Sequence, residues 1–381
     1  MTSLPELVAC SVADRWRRLV EQFDELGCDA FVVTDLVNIR YLTGFTGSNA
    51  TLVVTDEGMV FMTDGRYTTQ AADQLASAGT ADAVIDTIIA NDVTDALRAS
   101  VAGRAGVGVE ADHITWSTQQ RWSASALADV AMVSTDGVLL AQRSVKDAGE
   151  ISRLHRASAI ADAALAAIET RLHDGLTERA FARELEAAMT DLGSDGPSFE
   201  TIVASGPNGA RPHHRPGDRV IGGGGRGADA EVPAGAGELV VIDFGATVDG
   251  YHSDMTRTRV VGALSDTQIE MLAVVESAQA AGRAAVRAGV AGRAVDAVCR
   301  DALDQAGWGS YFTHGTGHGI GLVIHESPRL SAASDDTLCA GQCVTVEPGV
   351  YHPDHGGVRV EDSVVVTDDG CRLLTGAPYR V

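Results

Sequence analysis

The chain is almost without lysine: Lys146 is the single one among 381 residues, and every other basic side chain is arginine. We read that bias as coding preference or adaptation to salt, not as chemistry. Positive charge is scarce altogether, with 29 basic against 52 acidic residues and a net charge of −23. That balance argues against nucleic acid or an anionic membrane as partner and promotes solubility. No run approaches the roughly 18 apolar residues of a membrane span. No secretory pattern opens the chain either, because RWRRLVEQFDELG reads as a charged amphipathic helix. The six cysteines form no CxxC pair and no regular framework, which suits reduced thiols and a cytoplasmic protein.

What is present is an ordinary globular composition, 45% apolar, in a chain long enough for two domains. Residues 1–142 alternate short apolar runs with polar helical stretches, as a smaller α/β domain does. DAFVVT and AGVGVEAD read as strands, and TLVVTDEGMVFMTDG as a hairpin turning at Asp56-Glu57-Gly58. TTQAADQLASAG and NDVTDALRASVAG read as helices. RSVKDAGE reads as a linker into a long helix whose buried face carries Ile151, Leu154, Leu165, Ile168 and Leu172.

Residues 147–381 contain an internal repeat. GLTERAFARELEAAMTDLG (175–193) matches GVAGRAVDAVCRDALDQAG (289–307), with Arg179 on Arg293 and Phe181, Leu185 and Met189 on Val295, Cys299 and Leu303. Each copy follows another long helix, the second opened by a capping-box pair, Ser265 and Gln268. Each copy also precedes strands that read as a β-hairpin, VVIDFGATVDGYHSDMTRTRVV and VTVEPGVYHPDHGGVRVEDSVVV. The expected architecture is therefore α+β, a duplicated helix–helix–hairpin unit. The glycine-rich stretch 221–237 reads as a surface loop with no helix start for a phosphate.

Strand alternation puts acids inside these hairpins: Asp243 and Asp254 in the first, Glu347 and Glu361 in the second, each pair expected across from each other. Four ionised carboxylates in buried strands are costly without partners. Arg257 and Arg259 fall on the other face, which leaves Arg359 as the one arginine beside an acid. A pair of divalent cations with His318 as a nitrogen ligand would neutralise the excess. Such a donor set favours Mn²⁺ and would accept Co²⁺, Zn²⁺ or Fe²⁺. The competing reading places some of the acids at solvent-facing hairpin ends. His318 itself sits in HGTGHGIGLVIHE (314–326), which has too many glycines for a helix and must pass close to something.

DFGATVDGYHSDMTRT, HGTGHGIGLVIHE, VTVEPGVY and GVRVEDSVVV strongly resemble the M24 metallopeptidases over about 147–381. The resemblance implies the pita-bread fold and a two-metal centre held by Asp243, Asp254, His318, Glu347 and Glu361, with Asp254 and Glu361 bridging. It also implies that SFETIVASGPNGARPHH offers an active-site histidine, His213 or its neighbour His214, and that His314 and His325 face the substrate. The glycines around them would bring the backbone close to metals and peptide. Val323 departs from relatives that carry an acidic or amide side chain there. NIRYLTGFTGSNATLVVTDEGMVFMTDGRYTTQA resembles the N-terminal domain of aminopeptidase P and prolidase, and methionine aminopeptidase generally lacks such a domain.

The implied activity is cleavage of the Xaa-Pro bond, a tertiary amide with no N–H. A water polarised between two metals would attack, His325 would steady the oxyanion, Glu347 would shuttle the proton, and Arg359 would hold a ligand carboxylate. His213 and His314 would line the substrate side. Proline-containing peptides are the expected partners, and a homodimer is the expected assembly. Aminopeptidase P and the dipeptide-specific prolidase are both compatible with these motifs. A creatinase-like C–N hydrolase, a lyase relative or a non-catalytic module would keep the scaffold; the last would be expected to lose ligands, and all five are present.

Overall fold

The computed structural model describes residues 4–10, 12–78, 85–223 and 237–380. Two compact units divide the chain: Ala9–Arg143, and Met1–Val8 together with Ser144–Val381. Residues 4–8, read from sequence as part of the N-terminal domain, group with the second unit. Val8 N donates to Ser152 Oγ at 3.0 Å, and Arg153 Nη1 donates to Val8 O at 2.8 Å.

Among the described residues the first unit carries a six-stranded mixed sheet. Its order is Ile85–Ile89, Gly58–Thr63, Thr51–Thr55, Ala30–Val33, Gly106–Glu110, Ala131–Thr135. Both expected strands and the hairpin at residues 56–58 are in it. The expected helices are Thr68–Ser77 and Thr94–Ser100. RWRRLVEQFDELG is not one helix but two short ones, Arg15–Val20 and Phe23–Leu26. Gln22 N bonds back only three residues, to Leu19 O at 3.1 Å, which tightens the turn. Leu19 and Phe23 stay buried on both sides of the break.

The second unit shows the duplication directly. Helices α1 (Ala148–Ile168) and α2 (Glu178–Asp191) form one pair, α3 (Asp266–Ala285) and α4 (Gly292–Gln305) the other. Both long helices start from capping boxes, Asp147 with Glu150 and Ser265 with Gln268. Phe181, Leu185 and Met189 bury in one apolar cluster, and Val295, Cys299 and Leu303 bury in a second. The equivalence extends to polar contacts: Arg179 pairs with Asp218 at 2.7 Å and Arg293 with Asp335 at 2.9 Å. Residues 224–236 of the expected glycine-rich loop lie outside the described residues.

The two hairpins depart from the expected form in the same way. Strands β1 (Ile202–Ser205), β2 (Glu238–Phe244) and β3 (Met255–Val261) make one sheet, with Asp243 opposite Thr256. The hairpin's tip, Ala246–Val248 and Tyr251–His252, belongs to a different sheet. In the second half β4 (Gly317–Gly319), β5 (Glu326–Leu330), β6 (Cys343–Val346) and β9 (Asp362–Val366) share a sheet. There the tip strands β7 (Gly349–His352) and β8 (Gly356–Arg359) pair on their own. At the first kink Gly245 runs so close to Ser253 that a Cβ would lie 1.9 Å from its carbonyl oxygen. Only glycine lets the strands cross there.

Candidate active site

The four acids sit where the hairpins change sheet. Asp243 is the next-to-last residue of β2 and Asp254 immediately precedes β3; Glu347 immediately follows β6 and Glu361 immediately precedes β9. The register puts Asp243 opposite Thr256, so the first two acids are offset rather than face to face as expected. All four line one cavity of about 500 Å³ with His213, His214, His314, His318, His325 and Arg359. The structure thus brings every residue singled out from sequence to one place.

His318 lies at the bulge of β4, where its pairing to β5 shifts. Its Nε2 is 3.3 Å from Glu347 Oε1 and 3.5 Å from Asp254 Oδ2. Asp254, His318 and Glu361 each offer a ligand atom within 4.8 Å of the others, and all three are buried. Burial, followed by repulsion from Glu361 and Asp243, pushes Asp254 well above the usual carboxylate range. Glu361 is raised in the same way by burial and then by Glu347 and Asp243. For Glu347 burial also acts upward, but the hydrogen bond and charge of His318 outweigh it and bring the carboxyl to about 2.

Buried polar atoms are almost always satisfied, yet Asp243 Oδ1 and Glu361 Oε1 are buried with no hydrogen-bond partner. Their sister oxygens are engaged: Arg359 Nη2 donates to Asp243 Oδ2 at 2.5 Å, and Thr256 Oγ1 donates to Glu361 Oε2 at 2.8 Å. Two unpartnered oxygens, repelling carboxylates and an imidazole form a donor set suited to divalent cations. Arg257 and Arg259 lie on the other face as expected, paired with Asp362 at 2.9 Å and Glu169 at 3.0 Å.

Sequence reasoning missed Tyr351. Arg359 Nη1 donates to its hydroxyl at 2.7 Å, and that hydroxyl lies 2.8 Å from His314 Nε2. A guanidinium only donates, so the tyrosine hydroxyl accepts from Arg359 and its own proton is available to His314. His314 Nδ1 then donates to Gly315 O at 2.8 Å. Both ring nitrogens are engaged, and burial lowers the pKa of the imidazole and favours its neutral form. Strand register held the missing signal. Gly349 faces Arg359 across β7 and β8, and Tyr351, two residues along, shares its face.

His325 packs against His318 with ring centroids 4.4 Å apart. Burial, then the charges of His318 and Arg329, lower its pKa to about 4, so it is neutral near pH 7. His214 is committed elsewhere, its Nε2 2.8 Å from Glu178 Oε2, whereas His213 is the exposed member of the pair at the cavity. The glycines of the histidine loop also run close to neighbouring strands. A Cβ on Gly317 would lie 2.0 Å from Thr345 O, and one on Gly319 2.2 Å from Ser327 O. Both approaches are to neighbouring strand backbone, and Gly315 and Gly317 also line the cavity.

With this geometry in place, the comparisons decide the family. A model described as metallopeptidase family M24 matches residues 152–368, and one for the creatinase/prolidase N-terminal domain matches residues 15–145. The chain belongs to metallopeptidase family M24. It is 39% identical to the peptidase YqhT of Bacillus subtilis over 96% of this chain and 98% of that one. A Xaa-Pro dipeptidase from Bacillus anthracis superposes with a TM-score of 0.88 at 36% identity, covering 97% of this chain and 98% of that one. An X-Pro aminopeptidase from Thermotoga maritima superposes at 0.84 with 32% identity, covering 97% and 100%. These M24 relatives share both units, so the α+β pita-bread reading stands. The chain is a metal-dependent peptidase of this family. Among its described residues no helix is long and apolar enough to cross a membrane.

Proposed function

We propose that this M24 peptidase cleaves the Xaa-Pro bond at the N-terminus of peptides, as an Xaa-Pro aminopeptidase does. The observation that carries the reading is the wall of five donors, Asp243, Asp254, His318, Glu347 and Glu361, with two buried carboxylate oxygens lacking partners. These residues would hold two divalent cations, and the oxygen-rich set favours Mn²⁺. When bound, such a pair supplies a Lewis acid and a water of lowered pKa.

The chain's own residues account for the rest. Arg359 holds Asp243 through Oδ2, leaving Oδ1 for a cation. Glu347, with Oε1 engaged by Thr345 at 3.3 Å and by His318, would carry the proton on its other oxygen to the proline nitrogen. His325, a neutral imidazole at working pH, would donate to the carbonyl oxygen as it gains charge. His213 would contact the substrate, and His314, with both nitrogens satisfied, would shape the wall.

A dipeptide-only prolidase is the second reading, favoured by the name of the Bacillus anthracis structure. The free thiols fit a reducing cytoplasm, and a homodimer is the proposed assembly. Product analysis of Mn²⁺-loaded enzyme given equimolar Ala-Pro, Ala-Pro-Phe and Ala-Ala-Phe tests the reading. Cleavage of both proline peptides with Ala-Ala-Phe spared is the expected result. Cleavage of Ala-Pro alone makes it a prolidase, and no cleavage with metal bound sinks the peptidase assignment in favour of a small-molecule hydrolase.

A further inference from the structure

Two carboxylates that are not cation donors sit near the starts of equivalent helices in the duplicated unit. Each reaches a loop that carries one of the cavity histidines. Glu178, in the first turn of α2, has no exposed surface. It accepts from Ser205 N at 2.8 Å, Ser205 Oγ at 2.7 Å, Asn208 Nδ2 at 3.0 Å, His214 Nε2 at 2.8 Å and Gly217 N at 3.1 Å. All five donors belong to the segment 205–217, which bears His213. A buried carboxylate is tolerated only when fully paired, and here the pairing is spent entirely on that loop. On the other flank of His213, Pro212 O accepts from Arg359 Nη1 at 3.3 Å. The histidine is therefore gripped on both sides through its neighbours, while its own ring faces the cavity.

The second half repeats the device. Asp296, buried on α4, accepts from Thr316 N at 3.0 Å and Thr316 Oγ1 at 2.9 Å. It also holds Arg300 by Nε at 2.6 Å, and that guanidinium reaches Phe312 O at 3.3 Å and His314 O. His314 is thus fixed through the backbone on both sides, as His213 is.

We infer that Glu178 and Asp296 are positioning residues for the substrate side of the cavity, acting through the loops that carry His213 and His314. The inference rests on the peptidase reading above. Neither carboxylate hydrogen-bonds a cation donor directly; each acts on a histidine-bearing loop, and Arg359 touches both systems through Pro212 O and Asp243 Oδ2.

The test uses the full-length chain with Glu178→Gln and Asp296→Asn, and with His213→Ala and His314→Ala for double-variant cycles. Each single anchor variant is expected to bind two Mn²⁺ per chain by calorimetry, as the parent does, and to lose about 100-fold in kcat/KM on Ala-Pro-Phe, the cost of a small misplacement. In the His213→Ala background Glu178→Gln should then cost less than about threefold, and Asp296→Asn likewise in the His314→Ala background, because coupled residues are not additive. Should Glu178→Gln fail to fold, Glu178→Asp keeps the charge and is expected to retain part of the activity. Activity within threefold of the parent, additive losses, or loss of cations together with activity overturns the inference. A parent that cleaves no proline peptide refutes the peptidase reading instead. In that event histidine ring NMR decides, with the His213 and His314 resonances moved by the anchor variants or, against the inference, unmoved.

Discussion

Lys146 supplies the second unit with its own reporter of local opening. Apart from the N-terminus it is the chain's one primary amine. Its Nζ lies 2.7 Å from Glu326 Oε1, with both side chains only 1% exposed, and it also donates to Ser144 O at 3.1 Å. Glu326 follows His325 directly, and a Cβ on Gly321 would meet its Oε1 at 2.4 Å. The pair therefore fixes the stretch from Gly321 to the start of β5, which carries the proposed oxyanion donor.

Removing one partner of a buried pair costs roughly 3–5 kcal/mol, because a charge is left uncompensated. In Glu326→Gln an amide oxygen still accepts from the ammonium, and Ser144 O remains, so the lower end applies, about 3 kcal/mol. At 1.4 kcal/mol per factor of ten, opening around Lys146 should become roughly 100-fold more frequent. The assay is acylation by a dilute amine reagent at fixed pH, followed by peptide mass spectrometry, with the N-terminal amine as internal control. When reclosing outruns labelling, the rate follows the open population. Parent chain labelled at Lys146 as fast as at its N-terminus would refute the burial argument. A variant within threefold of the parent would refute the energetic one.

Arg359→Lys keeps the charge but loses the fork that serves Asp243, Tyr351 and Thr256 together; cation affinity should fall about 10- to 100-fold, with excess Mn²⁺ restoring kcat. Calorimetry showing unchanged affinity would remove Arg359 from the groups that orient Asp243. Gly317→Ala forces a methyl to within 2.0 Å of Thr345 O and should destabilise the second unit by about 3 kcal/mol or prevent its folding; an unchanged urea midpoint contradicts this. Burial raises the Glu178 carboxyl, but hydrogen bonds from His214, Asn208 and Ser205 outweigh it and hold it at about 2. A depressed carboxylate adds stability that is full above its unfolded pKa near 4.5 and is lost as pH falls toward the folded value. About 3 kcal/mol should therefore disappear between pH 4.5 and 2. Urea midpoints of Glu178→Gln should fall less steeply across that window than those of the parent, and parallel slopes would count against the assignment.

How much of this was legible beforehand follows from the range of the interactions. The repeat could be read because its buried positions recur at helical spacing, so Phe181, Leu185 and Met189 announce their face locally. The donor acids were legible as charges where strands should be apolar. Glu178 and Asp296 were not, since an acid in an early helical turn is ordinary on local grounds, and the loop groups they hold lie 20 to 39 residues away. The split sheets were hidden too: alternation fixes which face a side chain takes, but not where a hairpin bends out of its sheet. RWRRLVEQFDELG misled for a related reason, because its apolar spacing survives a tightened turn between two short helices.

The duplication also explains why the donor set is nearly, but not fully, symmetric. Each half delivers two carboxylates at the bend of its hairpin, Asp243 with Asp254 and Glu347 with Glu361, so the oxygen donors arrive in equivalent pairs. His318 comes from the second half alone, at a bulge its glycine neighbours allow by closing on Thr345 and Ser327. Arg359 compensates Asp243 from across the halves. One end of the cluster is thus a carboxylate steadied by a guanidinium, and the other a carboxylate beside an imidazole. Two cations bound here would meet unlike surroundings, because Arg359 steadies the carboxylate at one end and His318 stands beside the carboxylate at the other.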